Sequence, residues 1–210
     1  MNKKPLVLCL TNTVAANFTA NCLLAIGAKP AMVEEPCEAE ALARVADAML
    51  VNLGTVTARQ AESMRRAIAA ANAHGIPWAL DPVGVQLLPY RADLAREFSA
   101  QKPSVIRCNA AEAPVIGETG CVTLVTGEVD RVGEREVRGG VPMLRAVTAT
   151  GCAQGGLCAA FLGRGQSPQD AALSASKLMK RAGELAWERA KVPGSFQVAL
   201  VDALWELSHD

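Results

Sequence analysis

The chain has 210 residues, half of them apolar and 20% charged, enough hydrophobic sequence to bury a core without disulfide or metal staples and far from the composition of disordered chains. Its 21 basic and 21 acidic residues cancel, and aromatics make up only 4%. No net positive field or stacking platform is available for nucleic acid, which is excluded as an expected partner.

From the N-terminus, short β-type runs alternate with longer helical patterns: Leu6–Leu10, Val14–Ile26, Ala31–Val33, Glu38–Ala46, Ala48–Leu53, Thr57–His74 and Trp78–Leu80. The alternation predicts parallel strands with helical crossovers, an α/β layered sheet. Thr13 is the expected cap of the first helix. Gly27 and Gly75 are expected to end their helices in a left-handed conformation, with Pro77 following the second. The runs Ala48–Leu53, Val105–Arg107 and Cys121–Val125 are nearly continuous in apolar residues, as central strands covered on both faces should be. Val129–Arg138 reads as an edge hairpin turning at Gly133-Glu134. From Gly151 onward the pattern is helical: Ala153–Leu162, then Pro168 to about Lys191, a breaker at Pro193-Gly194-Ser195, and a last helix to Ser208. With no repeat, low-complexity tract or linker, residues 1–210 are expected to form a single domain.

No run approaches the length of a membrane span, and the first apolar stretch breaks at Thr11-Asn12-Thr13, too early for a signal peptide. The seven cysteines include no C-x-x-C pair, and His74 and His209 are the only histidines. This set argues against zinc and for reduced, buried thiols in a soluble, cytoplasmic protein. His74 belongs to a helix end, Arg59, Glu62, Arg65 and Arg66 to a solvated helix face, and no serine has a hydrolase context.

Open parallel sheets bind ligands beyond the carboxyl ends of their strands, so the polar residues after each apolar run are the candidates. They are Thr11-Asn12-Thr13, Asn52-Leu53-Gly54-Thr55, Asp81-Pro82-Val83-Gly84, Arg107 through Glu112, Thr126 through Asp130, and Thr148 through Cys152. Neither a Walker A sequence nor G-x-G-x-x-G is present. Thr148–Cys152 opens an Ala/Gly-rich helix whose free N–H groups suit an anion, and the first-turn position of Cys152 favours a thiolate. The plain alternative is a small buried residue on a tight turn. Asp81 and Glu112 each have a structural reading as a strand end and a first-turn acid. With Arg107 they form a set suited to magnesium and a polyphosphate, since Mg²⁺ takes only one or two carboxylates plus phosphate oxygens.

The run Thr11-Asn12 through Asn17-Phe18-Thr19-Ala20-Asn21-Cys22 to Pro30-Ala31-Met32 resembles the start of hydroxyethylthiazole kinases. So do Val51-Asn52-Leu53-Gly54-Thr55, Asp81-Pro82-Val83-Gly84, Arg107-x-Asn109-x-x-Glu112, Thr126-Gly127-Glu128-Val129-Asp130, Thr150-Gly151-Cys152 and Pro193-Gly194-Ser195-Phe196, in order over almost the whole chain. The resemblance implies a three-layer ribokinase-like fold, a mostly parallel sheet with helices on both faces. It also implies Mg²⁺-ATP-dependent phosphorylation of the hydroxyl of 4-methyl-5-(2-hydroxyethyl)thiazole in thiamine salvage, by a homotrimer with active sites between subunits. Carried over by position, Met32 contacts the thiazole, with Asn12, Gly54 and Ala149 on the substrate side. Arg107, Thr126 and Gly151 bind ATP, and Asp81 and Glu112 belong to the metal and phosphate region. Cys152 takes the catalytic place that sugar kinases give to an aspartate.

Three positions that are glycine in the family pattern are Ala149, Gln86 and Cys108 here, and a methyl at 149 is expected to narrow the anion hole or sit on a φ > 0 backbone. Against the family pattern, the sequence is expected to begin after the leading helix. A glycine-containing loop and most of a helix are missing between Gly117 and Cys121, which should leave that flank of the sheet less covered. Two other readings stay open: a kinase for a different small alcohol such as a pyrimidine, and a thiazole- or nucleotide-binding protein that has lost catalysis.

Overall fold

A computed structural model describes residues 3–209. One eight-stranded sheet runs through the molecule in the order β2-β1-β3-β4-β5-β6-β7-β8. Strands β1 (Leu6–Leu10), β2 (Lys29–Met32), β3 (Ala48–Asn52), β4 (Trp78–Asp81), β5 (Val105–Asn109) and β6 (Val122–Thr126) are parallel. The hairpin β7 (Asp130–Val132) and β8 (Arg135–Val137) closes one edge antiparallel, turning at Gly133-Glu134 as the sequence predicts.

Alternate residues of β1, β3, β4 and β5 feed two cores. Val7, Cys9, Ala48 and Leu50 face one side, with α1 (Ala16–Ala25), α7 (Thr150–Gly163), α8 (Pro168–Arg189) and α9 (Pro193–His209). Leu8, Leu10, Met49 and Val51 face the other, with α2 (Pro36–Ala43), α3 (Ala58–Ala73) and α4 (Pro89–Ser99). Apolar side chains on both faces of β1, β3 and β4 account for their unbroken hydrophobic sequence. The short α5 (Ala113–Ile116) and α6 (Met143–Ala146) fill connections.

Gly27 and Gly75 adopt φ of +76° and +68° and end α1 and α3 as expected. Thr57 and Gln60 form a reciprocal capping box at the start of α3. His74 sits at that helix's end with Nδ1 2.9 Å from the Ala70 carbonyl.

Three expectations need correction. Thr13 does not cap α1: the capping position is Ala15, whose N–H donates to the Asn12 side chain at 2.9 Å. No side chain caps α1; Asn12 holds the turn that leads into it. Pro193-Gly194-Ser195 is the first turn of α9 rather than a breaker before it, since proline fits where N–H groups have no helical partner. Finally, β6 is not covered on both faces: only Leu124 of its five residues is buried. The bridge from Gly117 to Gly120, with φ of +70° and +71° at its two glycines, leaves α5 as a single turn. A groove of about 430 Å³ opens there beside Cys108, Cys121 and Thr123.

Candidate active site

At the carboxyl end of the sheet, β4 presents Asp81, β5 presents Arg107 and β6 presents Thr126, all facing the start of α7. Gly155 lets that helix lie flat on the sheet, since a Cβ there would sit 3.2 Å from Leu50 and 3.3 Å from Asp81. One turn earlier, a Cβ on Gly151 would lie 2.7 Å from both terminal nitrogens of Arg107. The Arg107 guanidinium therefore rests directly on the glycine at the helix N-terminus.

Arg107 donates to Thr126 Oγ1 at 2.9 Å and, more loosely, to Asp81 Oδ1 at 3.4 Å, while its side chain keeps 12% exposure. Burial works against this cation, but the carboxylates of Asp81 and Glu112 outweigh it and its pKa is raised. Its Nε is buried without a hydrogen-bond partner. A cation at the positive end of a helix, with a donor unsatisfied, is an arrangement that an anion completes. Arg107, Thr126 and Gly151 line a cleft of about 330 Å³, which shares Gly127, Leu144, Arg145 and Lys180 with an adjoining cavity of about 560 Å³. Spaces of this size suit a small ligand.

Asp81 is fully buried, and burial pushes its pKa up to about 6 against the opposing pull of Arg107; Glu112 pushes the same way as burial. Its Oδ2 accepts from Asn52 Nδ2 at 2.6 Å. Glu112 is also buried, and both of its oxygens hold backbone: Oε1 accepts from Gly84 N–H and Oε2 from Asn109 N–H, each at 2.9 Å. Asn109 Oδ1 accepts from Glu112 N–H at 3.0 Å in return, so the Asn109-x-x-Glu112 spacing closes a reciprocal pair of bonds, and the Gly84 bond ties the β5 loop to the β4 loop. Among the described residues no three of His, Cys, Asp and Glu converge as a metal cage. Two carboxylates beside an anion hole fit an ion carried in on phosphates, not one held by the protein alone.

Cys152 stands in the first turn of α7, with Asn12 Nδ2 donating to Sγ at 3.5 Å. The expected thiolate is not what the site holds. Burial first, and the neighbouring Asp81 second, raise this thiol to about 11, against the opposing effects of the Asn52 and Asn12 amides and Arg107. Burial defeats the helix dipole here. Ala149, which precedes α7, adopts φ +70°, the left-handed conformation expected of a glycine position. Gln86 is exposed on the β4–α4 connection and Cys108 is fully buried on β5.

The structure thus gathers Arg107, Thr126, Gly151, Asp81, Asn12, Gly54 and Cys152 around one end of the sheet. Met32 stands apart, 38% exposed at the end of edge strand β2.

Two further groups hold the site in place, Asn52 among the expected strand-end candidates and Lys180 outside them. Asn52 is fully buried and links Asp81 to Asn12. Lys180 pairs with Asp130 at 3.3 Å and donates to the Glu128 and Gly139 carbonyls, while Gln154 and Ser176 donate to Asp130 Oδ2. This cluster fixes the Gly127–Asp130 turn that follows Thr126. The apolar run before Asn52 marks its position as a strand end, but no local signal marks Lys180.

The sheet order, the antiparallel edge hairpin and the glycine-floored anion hole at the strand ends define a ribokinase-like α/β fold. Pyridoxal kinase from Staphylococcus aureus superposes with a TM-score of 0.66 at 16% identity, over 87% of this chain and 89% of that one, and agrees at the level of fold. The chain belongs to the hydroxyethylthiazole kinase family, whose pattern it matches over residues 1–119 and 113–210, two stretches that meet at the shortened Gly117–Gly120 bridge. It is 42% identical to hydroxyethylthiazole kinase from Serratia proteamaculans, over 98% of this chain and 89% of the relative. It is 44% identical to that from Cronobacter sakazakii, over 95% and 87%. The structure of the hydroxyethylthiazole kinase protein from Pyrococcus horikoshii superposes with a TM-score of 0.93 at 36% identity, over 97% of this chain and 88% of that one.

Proposed function

We propose that this chain transfers the γ-phosphoryl group of ATP to the hydroxyl of 4-methyl-5-(2-hydroxyethyl)thiazole, releasing ADP and the thiazole phosphate in thiamine salvage. The observation that carries the reading is the Arg107 guanidinium, buried on Gly151 at the positive end of α7 with one donor unsatisfied. It supplies the preorganised positive charge that phosphoryl transfer demands most.

In this reading Arg107, Thr126 and the first N–H groups of α7 hold the phosphates, and Arg145 and Lys180 add positive charge along the cleft. Asp81 and Glu112 are the residues that would hold a magnesium ion, which would supply positive charge against the phosphates. Asn12, Gly54 and Ala149 lie on the side of the alcohol. Cys152, a thiol at neutral pH, accepts a hydrogen bond from the alcohol and aims its oxygen at phosphorus. A loose transition state needs this positioning more than a strong base, because the alcohol proton becomes acidic only as the new P–O bond forms. The thiol already carries its proton, so the alcohol proton leaves to solvent once the P–O bond forms, and removing Cys152 should slow turnover by roughly 10²-fold, the scale of a lost positioning contact, rather than abolish it.

Met32 has no partner from the site within its own chain. We place it against a neighbouring subunit of a homotrimer, with the half-exposed Val14 and Leu24 on the same flank of the sheet. A monomeric mass by light scattering at micromolar concentration would sink this assignment. A single-domain, cytoplasmic enzyme accords with seven cysteines that are all unpaired.

A phosphorylation assay with Mg-ATP and a panel of vitamin-precursor alcohols tests the whole reading. Turnover is expected with the thiazole alcohol. Turnover with a pyrimidine alcohol alone would move the substrate, and ligand binding without turnover would mark a protein that has lost catalysis.

A further inference from the structure

An unbroken line of side-chain hydrogen bonds crosses the floor of the site, and its direction can be assigned without ambiguity. Ala15 N–H donates to Asn12 Oδ1 at 2.9 Å, so the Asn12 amide nitrogen must face the other way. Gly54 N–H donates to Asn52 Oδ1 at 2.9 Å, which fixes the second amide independently. Asn12 Nδ2 then donates to Asn52 Oδ1 at 2.8 Å and to Cys152 Sγ at 3.5 Å, while Asn52 Nδ2 donates to Asp81 Oδ2 at 2.6 Å. Backbone N–H groups hold both amides against flipping, and both residues are buried.

Because Asn12 donates to the sulfur, one lone pair of Cys152 is occupied and the sulfur is held from the side opposite its own helix. Gly54 leaves the room this requires: a Cβ there would lie 2.5 Å from Asn12 Nδ2 and 3.0 Å from Asn52 Oδ1. Gly54 does not use the left-handed backbone, so the space and not the conformation explains its lack of a side chain.

We propose that Asn52 is a positioning residue for phosphoryl transfer: clamped between Asp81 and the Gly54 N–H, it anchors the nitrogen of the Asn12 amide that Ala15 N–H has oriented and, through it, the place of the Cys152 sulfur. The proposal rests on the reading of Cys152 given above. It predicts that Asn52 and Gly54 matter to turnover chiefly while the sulfur is present.

The test is a double-mutant cycle in kcat for the thiazole alcohol at saturating Mg-ATP, using Asn52→Ala and Gly54→Ala, each alone and with Cys152→Ala, with thermal unfolding of every variant. In the parent background Asn52→Ala should lower kcat about tenfold, the scale of a catalytic contact displaced by a fraction of an ångström. With Cys152→Ala already in place, the further loss should be less than about twofold. Gly54→Ala should repeat the pattern while leaving the Asn52–Asp81 bond in place, and it carries the cycle alone if Asn52→Ala fails to fold. Equal losses in both backgrounds would overturn the proposal and place the effect on Asp81 or on general packing. If Cys152→Ala itself turns over at the parent rate, the reading of Cys152 falls, and the proposal with it. A slow Cys152→Ala combined with additive losses sinks the proposal alone.

Discussion

Replacing Gly151 by Ala should separate nucleotide binding from folding. The new methyl would lie 2.7 Å from Arg107 Nη1 and Nη2 and 2.9 Å from Cζ, closer than such contacts are found, so the guanidinium must leave its seat. It is the flexible end of a long side chain and can move, but not for free. Moving gives up the 2.9 Å bond to Thr126 or the looser approach to Asp81, and a hydrogen bond to a charged group is worth about 1.5–3 kcal/mol. Alanine in place of glycine near a helix start returns up to about 1 kcal/mol, so the net loss of stability should be about 1–2 kcal/mol, a drop of roughly 2–8 °C in midpoint. Binding suffers separately, because the displaced cation no longer meets the phosphates: a loss of about 1.5–3 kcal/mol weakens ATP by roughly 10- to 150-fold. Calorimetric titration of a non-hydrolysable ATP analogue, with thermal unfolding of the same samples, reads both numbers. A folded variant that binds the analogue within threefold of the parent would refute the placement of phosphates on Arg107 and α7.

Arg107→Ala should weaken the same analogue by a comparable factor and leave thiazole binding within about twofold; equal weakening of both ligands by calorimetry would count against the assignment. Alkylation of Cys152 by iodoacetamide, followed by peptide mass spectrometry, should speed up about tenfold per pH unit from pH 7 to 9.5, because a thiol near pKa 11 gains thiolate throughout that window. Cys9, Cys22, Cys108 and Cys158, buried and raised to about 12, should stay unlabelled, and a plateau for Cys152 near pH 8 would show that the helix end controls it after all. Ala149→Gly should raise stability by about 0.5–1 kcal/mol: left-handed alanine costs about 1–2 kcal/mol, of which the freer unfolded glycine takes back part. A thermal midpoint several degrees lower would mean that the methyl's packing against the core outweighs the strain.

What could be read from the sequence is what local chemistry decides. Gly27 and Gly75 announce helix ends because a positive φ is a property of one residue, and Gly133 announces the hairpin for the same reason. The two-faced strands show in the runs Leu6–Leu10 and Ala48–Leu53 because burial on both sides leaves no polar alternation. The same logic places β6 inside the sheet, where it lies, but not its coverage, because a one-turn α5 leaves its outer face open: composition records what a strand tolerates, not what covers it. No element was assigned between Leu80 and Val105, where α4 folds with two charged residues of each sign on its outer face. Asn52 shows in the sequence only as a strand-end candidate and Lys180 not at all, because their roles lie in partners 29 and 52 residues away, at Asp81 and Glu128.

The site's chemistry comes from groups held where, unliganded, they are uncomfortable. Arg107 sits at the wrong end of a helix dipole, Asp81 is buried deeply enough to titrate near 6, and Ala149 turns left-handed to start α7. Such an arrangement persists only if its surroundings over-determine it. Glu112 supplies one restraint by clamping the β4 and β5 loops through two backbone N–H groups, and Lys180 supplies another by pinning the turn after Thr126 to α8. These restraints come from carboxylates and amines already engaged with protein, so they stay in place when a ligand arrives. Arg107, with a buried and unpaired Nε, lines the cleft together with Thr150 and Gly151 of the first turn of α7. Because Glu112 and Lys180 hold these loops through bonds that do not involve Arg107 or Cys152, a loss of turnover at Arg107 or Cys152 can be measured without a loss of the fold.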